Sequence, residues 1–255
     1  MKIAFVILTW GDAQERKENF KFSLNRVKKL SNFLNYNGIS SQVFPYCFGK
    51  EKLTDDSNHI NLESLEYYRS FKINYAIKDL IIKNQEPEIF CCLDSDIFTL
   101  DRDFNNFLEY VKNTNFKEKF LTARWYDSAD RNAFDFNNYT HSDNMPIETI
   151  RSSDASGFFL VDFLTLKNMG GYDERFTVWG GEDNDIAYRL QRMGIKQEYM
   201  DFYFLHIKHA RINEVTILDT KDKDLYLNQV KIAQEDKSII RPTVVNNYYI
   251  KNLEN

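Results

Sequence analysis

The period of the apolar residues changes repeatedly along this chain, and that alternation restricts the fold more than any other feature. Residues 3–8 (IAFVIL) are a short apolar run. From 15 to 36 the period becomes that of a helix face, through Phe20, Leu24, Val27, Leu30 and Leu34, and it closes at Asn37-Gly38, a helix-stop pair. Residues 41–46 predict a second strand, and 63–82 a second helix through Leu65, Tyr68, Phe71, Tyr75 and Leu80. Residues 88–93 have no polar face and read as a strand buried on both sides. Further strands are expected at 120–125 and 157–163, and a helix from about 182 to Gly194. Short apolar runs joined by helices are β-α-β units, so the chain predicts an α/β, Rossmann-like domain with a mostly parallel central sheet and helices on both faces. Residues 127–151 read as a polar loop. After Arg211 the composition turns to mixed charge and Asn, with one helical stretch at 225–233. We therefore place one α/β domain at 1–211 and a tail that packs on it or extends from it at 212–255.

Composition narrows the function classes. The formal net charge is −5 with Lys and Arg scattered among acids, so no basic stripe is available for phosphodiesters, and nucleic acid is excluded as a partner. The three cysteines, Cys47, Cys91 and Cys92, form neither an even disulfide framework nor a C-x-x-C metal pair and read as reduced and buried. The apolar opening is too short to span a bilayer and has no small-residue cleavage site, and no other stretch approaches the ~20 residues a span needs. A cytoplasmic protein follows as the expectation, with at most a peripheral association at the inner face of the membrane. The 21 Phe and 15 Tyr fill a large core, and some can face sugar rings.

Two segments carry chemistry. Asp94-Ser95-Asp96 follows the buried run directly, and beyond the carboxyl ends of parallel strands is where such sheets bind ligands. Alone, the two acids fit a Mn²⁺ or Mg²⁺ site and a helix-capping turn equally well. The second segment is Gly170-Gly171-Tyr172-Asp173-Glu174-Arg175-Phe176-Thr177-Val178-Trp179-Gly180-Gly181-Glu182-Asp183-Asn184-Asp185. Glycine pairs allow positive φ and close backbone approach, Trp179 offers a flat apolar face, and Glu182, Asp183 and Asp185 open a helix whose dipole favours carboxylates. Helix complementation explains the acids; it does not explain a Trp between two Gly pairs.

That second segment resembles the signature of GT-A fold glycosyltransferases, most of all the β-1,4-galactosyltransferase group and bacterial chondroitin-type polymerases. The resemblance implies that Trp179, Gly180, Gly181 and Glu182 bind the acceptor sugar and that Asp183 is the catalytic base of an inverting displacement, with Asp185 supporting the helix start. Asp94 and Asp96 match the family's aspartate-x-aspartate metal motif, and His209, in His206-Ile207-Lys208-His209-Ala210-Arg211, matches its metal-binding histidine; an imidazole beside oxygen ligands suits Mn²⁺, with Mg²⁺ as the substitute. On the donor side the resemblance places Arg69, with Lys72 and Asn74 on the same helix, Arg16 in a short basic segment after the first strand, and Asp94, Asp154 and Gly157. Arg69 reads equally as a solvent-exposed residue of an amphipathic helix. Asp154 stands where some galactosyltransferases carry a bulky aromatic, which leaves room for an N-acetyl group and puts UDP-GalNAc beside UDP-Gal. The implied reaction moves a hexose or N-acetylhexosamine from a UDP-sugar to a saccharide or lipid-linked saccharide, in bacterial surface polysaccharide synthesis. A sugar nucleotidyltransferase would need a Gly-rich phosphate loop after the first strand, which Thr9-Trp10-Gly11-Asp12 does not provide. A silent carbohydrate-binding relative would be expected to lose the metal acids or the base, and candidates for both are present.

Overall fold

Alternate residues of the first strand serve two different cores. Ile3, Phe5 and Ile7 enter one, and Ala4, Val6 and Leu8 the other, as the two-residue period of a strand requires. The computed structural model describes residues 1–10, 14–49, 52–55, 57–60, 69–128, 130–141, 147–151, 157–178, 180–207 and 223–241. Its strands are β1 (Lys2–Trp10), β2 (Ser40–Phe48), β3 (Asn58–Ile60), β4 (Ile89–Asp94), β5 (Ile97–Thr99), β6 (Lys119–Ser128), β7 (Phe134–Asp135), β8 (Thr140–His141), β9 (Ile147–Arg151), β10 (Phe158–Asp162) and β11 (Lys196–His206). The helices are α1 (Gln14–Tyr36), α2 (Arg69–Ile82), α3 (Phe104–Asn113), α4 (Phe163–Asn168), α5 (Glu182–Arg192) and α6 (Lys223–Glu235).

Among the described residues the main sheet runs β3-β2-β1-β4-β10-β6-β11-β5, with β9 on β6 beyond the end of β10. β1, β2, β3, β4, β6 and β11 point one way and β5, β9 and β10 the other. The mostly parallel α/β sheet expected from the sequence is therefore present. α1 and α3 cover one face through Phe20, Leu24, Val27, Phe107 and Val111; α2, α4 and α5 cover the other through Ile73, Ile77, Leu166, Ile186 and Leu190. β4 and β10 split their side chains the same way, which is why these runs carry no polar face.

The helix stops behave as their residues dictate. Gly38, at φ 83°, lets the Ile39 amide reach back to the Leu34 carbonyl and its own amide to Asn35, closing α1. Several elements differ from expectation. The stretch read as a polar loop holds β7, β8 and β9, which pair through backbone groups that a polarity pattern does not report. β11 and α3 are absent from the sequence prediction; β11 mixes Lys196, Glu198 and Asp201 with its apolar residues because much of it is half-buried. The start of the second predicted helix, 63–68, lies outside the described residues. Among those residues no helix is long and apolar enough to cross a membrane.

Candidate active site

The carboxyl end of β4 brings Asp94 to the edge of the sheet, where its amide donates to the Gly157 carbonyl at 2.8 Å. Gly157 sits at φ 72°, and a Cβ there would lie 2.3 Å from Ile97 and 3.3 Å from the Asp94 carboxylate. Only a glycine lets the chain pass so close to that acid. From the first turn of α2, Arg69 reaches the same place. Its Nε donates to Asp94 at 3.1 Å, its second nitrogen donates to Asp183 at the start of α5, and Glu182 stands 4.0 Å away. Arg69 is 2% exposed, so it belongs to the interior and not to a solvated helix face. One guanidinium thus ties the aspartate-x-aspartate motif to the Gly-Gly-Glu-Asp segment, and the two carboxylates hold it well above its ordinary range against the cost of burial. Burial pushes the Asp183 carboxyl up, Arg69 opposes, and the like charges of Glu182 and Asp94 add to the rise. A carboxylate with raised basicity in a cleft is the property a general base needs.

Asn74, expected on the donor side, is differently occupied. Its amide donates to the Tyr172 carbonyl and to Glu174, both at 2.8 Å, and accepts from the Tyr172 amide at 2.8 Å. It braces from within the loop that precedes the Gly-Gly-Glu-Asp segment. The loop ends at Gly181, which caps α5 in the left-handed region at φ 91°. Glu182 accepts from the Gly180 amide at 3.0 Å, so one of its oxygens shapes the loop it was expected to extend from. Asp185 also departs from expectation. Fully buried, it binds Arg189 at 2.7 Å and Arg241 at 2.8 Å, so it is the hub of a buried ion network rather than a dipole-compensating surface acid.

Asp96 meets a histidine. The β5–β11 ladder pairs Ile97 with His206, so the preceding Asp96 lies beside the ring, with its carboxylate 3.7 Å from Nε2. On the other side Nδ1 is 2.8 Å from the Asp127 carboxylate, at the end of β6. Burial works against the charged ring, but Asp96 and Asp127 carry it up to about 9. A carboxylate on Nδ1 is the usual device that presents Nε2 to a metal, and Asp96 adds an oxygen donor beside it. The pair fits a divalent cation, which would replace the proton between Nε2 and Asp96. Among the described residues no group of three or more such ligands is assembled, so further ligands would be supplied by a bound substrate or by other parts of the chain. His206 and Asp127 escaped the sequence reading; the signal for His206 was its place in the same segment as His209.

On the other side of Asp94, the end of β1 presents Trp10 with two cations over its ring: Arg16 at 5.0 Å and Lys72 at 4.6 Å. Lys72 is fully buried; burial first and then Arg16 bring its ammonium down to about 7. Both cations lie where β1 ends, on the side of the sheet expected to receive a diphosphate. Neighbouring Cys92 plays no such part, because burial pushes its thiol up to about 12 and leaves it protonated. Trp179, Asp154 and His209 lie outside the described residues.

Residues 148–210 match the family described as the N-terminal domain of galactosyltransferase. Over 78 residues the chain is 33% identical to polypeptide N-acetylgalactosaminyltransferase 3 of Drosophila melanogaster, a stretch amounting to 31% of this chain and 11% of that protein. The fold is similar to the catalytic domain of Drosophila β1,4-galactosyltransferase 7 in complex with xylobiose, at 17% identity and a TM-score of 0.53 over 96% of this chain and 83% of that one. It is also similar to GalNAc-T7 with UDP, GalNAc and Mn²⁺, at 13% identity and a TM-score of 0.55 over 91% of this chain and 48% of the other. At these identities the structures speak for the GT-A fold alone. With the family match, they support the resemblance to the galactosyltransferase group.

Proposed function

We propose that this chain is a metal-dependent glycosyltransferase that moves a hexose or N-acetylhexosamine from a UDP-sugar to a saccharide hydroxyl with inversion. The observation that carries this reading is Arg69, which holds Asp94 and Asp183 together and so makes the donor and acceptor segments one site. Arg69 fixes one oxygen of Asp183 and thereby orients the other, beside the cleft that Asp183 lines between α5 and α6. That carboxylate takes the proton of the attacking hydroxyl. Arg16 supplies positive charge to the diphosphate, whose own charge would in turn favour the protonated form of Lys72. Asp96 and His206, with Asp94 and His209 from the motif match, would hold Mn²⁺ or Mg²⁺, whose charge offsets that of the departing UDP. The similar proteins crystallised with UDP, Mn²⁺ and saccharides favour the same ligands here. Free, buried thiols suit a reducing cytoplasm. Surface polysaccharide assembly remains the process favoured by the likeness to chondroitin-type polymerases. Incubation with UDP-Gal and UDP-GalNAc, Mn²⁺ and a panel of saccharides, followed by NMR of the product, tests the reading. UDP release with a new β linkage is expected; an α linkage contradicts inversion, and no UDP release from either donor contradicts transfer.

A further inference from the structure

The tail after residue 211 carries no recognisable motif, yet its helix α6 lies against the acceptor segment. Gln229, 2% exposed, spends its whole amide there. Its oxygen accepts from the amides of Thr177 at 2.7 Å and Val178 at 2.9 Å, and its nitrogen donates to the carbonyls of Val178 and Gly180, both at 2.9 Å. Four bonds from one side chain therefore fix the backbone on both sides of position 179. One turn earlier, the Tyr226 ring lies over Gly180 so closely that a Cβ there would stand 2.6 Å from it. Beyond this contact a cleft of about 300 Å³ opens between α5 and α6, starting at Glu182 and Asp183 and walled by Tyr188, Tyr226 and Val230. It continues past Tyr188 and Gln234 into a second depression of about 480 Å³, lined also by Gln191, Arg192 and Lys237. Aromatic walls at one end and amide and cationic donors further along are the chemistry that binds sugar rings and their hydroxyls.

We propose that α6 is the specificity element of the acceptor site: Gln229 positions the 177–181 loop, and the α5–α6 cleft takes the part of an oligosaccharide acceptor that lies beyond the sugar being glycosylated. This rests on the glycosyltransferase reading of Asp183. A cleft running away from the base along two helices has no use for a single-sugar acceptor, so acceptors of two or more rings should be preferred, with Tyr226 contributing to that preference.

The test is steady-state transfer from UDP-Gal and UDP-GalNAc, with Mn²⁺, to xylose and xylobiose, glucose and cellobiose, and N-acetylglucosamine and chitobiose, for the unmodified protein, Tyr226→Ala and Gln229→Ala. Calorimetric affinity for UDP with Mn²⁺ checks that each variant is folded on the donor side. The unmodified protein should show a disaccharide KM at least 10-fold below that of the matching monosaccharide. Tyr226→Ala should erase that difference by raising the disaccharide KM more than 10-fold with less than a 3-fold change in kcat. Gln229→Ala should raise KM for both lengths. Gln229→Ala that no longer folds leaves the decision to Tyr226→Ala. No preference for the longer acceptor, absence of transfer to the whole panel included, overturns the inference, as does Tyr226→Ala lowering both lengths equally. If the unmodified protein does not bind UDP with Mn²⁺, it is the glycosyltransferase reading itself that fails.

Discussion

A guanidinium that reaches two carboxylates on different elements constrains a site more than either acid does, because its planar fork fixes directions as well as charge. Arg69 sets Asp183 in this way, and the consequence is measurable. Asp183→Asn keeps size and hydrogen bonding but cannot take a proton, so kcat should fall roughly 10² to 10⁴-fold with UDP affinity little changed. Near-normal turnover in that variant would remove Asp183 from the base role. Lys72 makes a second prediction, through stability. Its ammonium is held near 7 in the folded protein against an ordinary 10.5. Between those values the unfolded chain binds a proton that the folded chain does not, so this residue makes stability rise with pH across that window. His206 acts in the opposite sense: its raised pKa gives stability that is full below 6.5 and lost as pH rises through about 9. Urea midpoints at pH 6, 7, 8 and 9 for the unmodified protein and Lys72→Met separate the two. The difference between them should grow in favour of the unmodified protein as pH rises; a constant difference would show that Lys72 is charged throughout.

At the scale of elements, the loop between α4 and α5 is held from two directions, by Asn74 on α2 and by Gln229 on α6. Gly171 stands at φ 70° with its missing Cβ 2.3 Å from the Asn74 carbonyl oxygen. Gly171→Ala combines left-handed strain with loss of the Asn74 bonds and should cost about 2 to 4 kcal/mol. Asp185→Ala leaves Arg189 and Arg241 buried without their shared acid and should cost about 3 to 5 kcal/mol, read as a fall in urea midpoint. A cost under 1 kcal/mol would return Asp185 to the helix-dipole role that its place in the first turn suggests. That contrast shows where sequence reading runs out. Asp94 and Asp183 stood out in the sequence because each lies in a short motif. The partner of Asp185 lies 56 residues on at Arg241, and the Asn74 bonds to Tyr172 span 98; no local pattern records such distances.

Over the whole molecule, the two-residue period of β1, β4 and β10 explains why the sheet is covered on both faces, and this was readable because fully buried strands have no polar face to obscure them. β11 was hidden by its charged, half-buried residues, and with it His206, the side chain proposed to share a cation with Asp96. The sheet brings the turn between β4 and β5 together with the ends of β6 and β11, so Asp96, Asp127 and His206 meet at one edge. This edge is proposed to bind a nucleotide through a divalent cation. Calorimetry of UDP with the unmodified protein and with Asp96→Ala, each with Mn²⁺ and with a chelator, tests it most directly. We expect binding to the unmodified protein that weakens at least 10-fold on chelation, and a weak affinity in Asp96→Ala that Mn²⁺ does not improve. Equal UDP affinity with and without Mn²⁺ in the unmodified protein would contradict the claim.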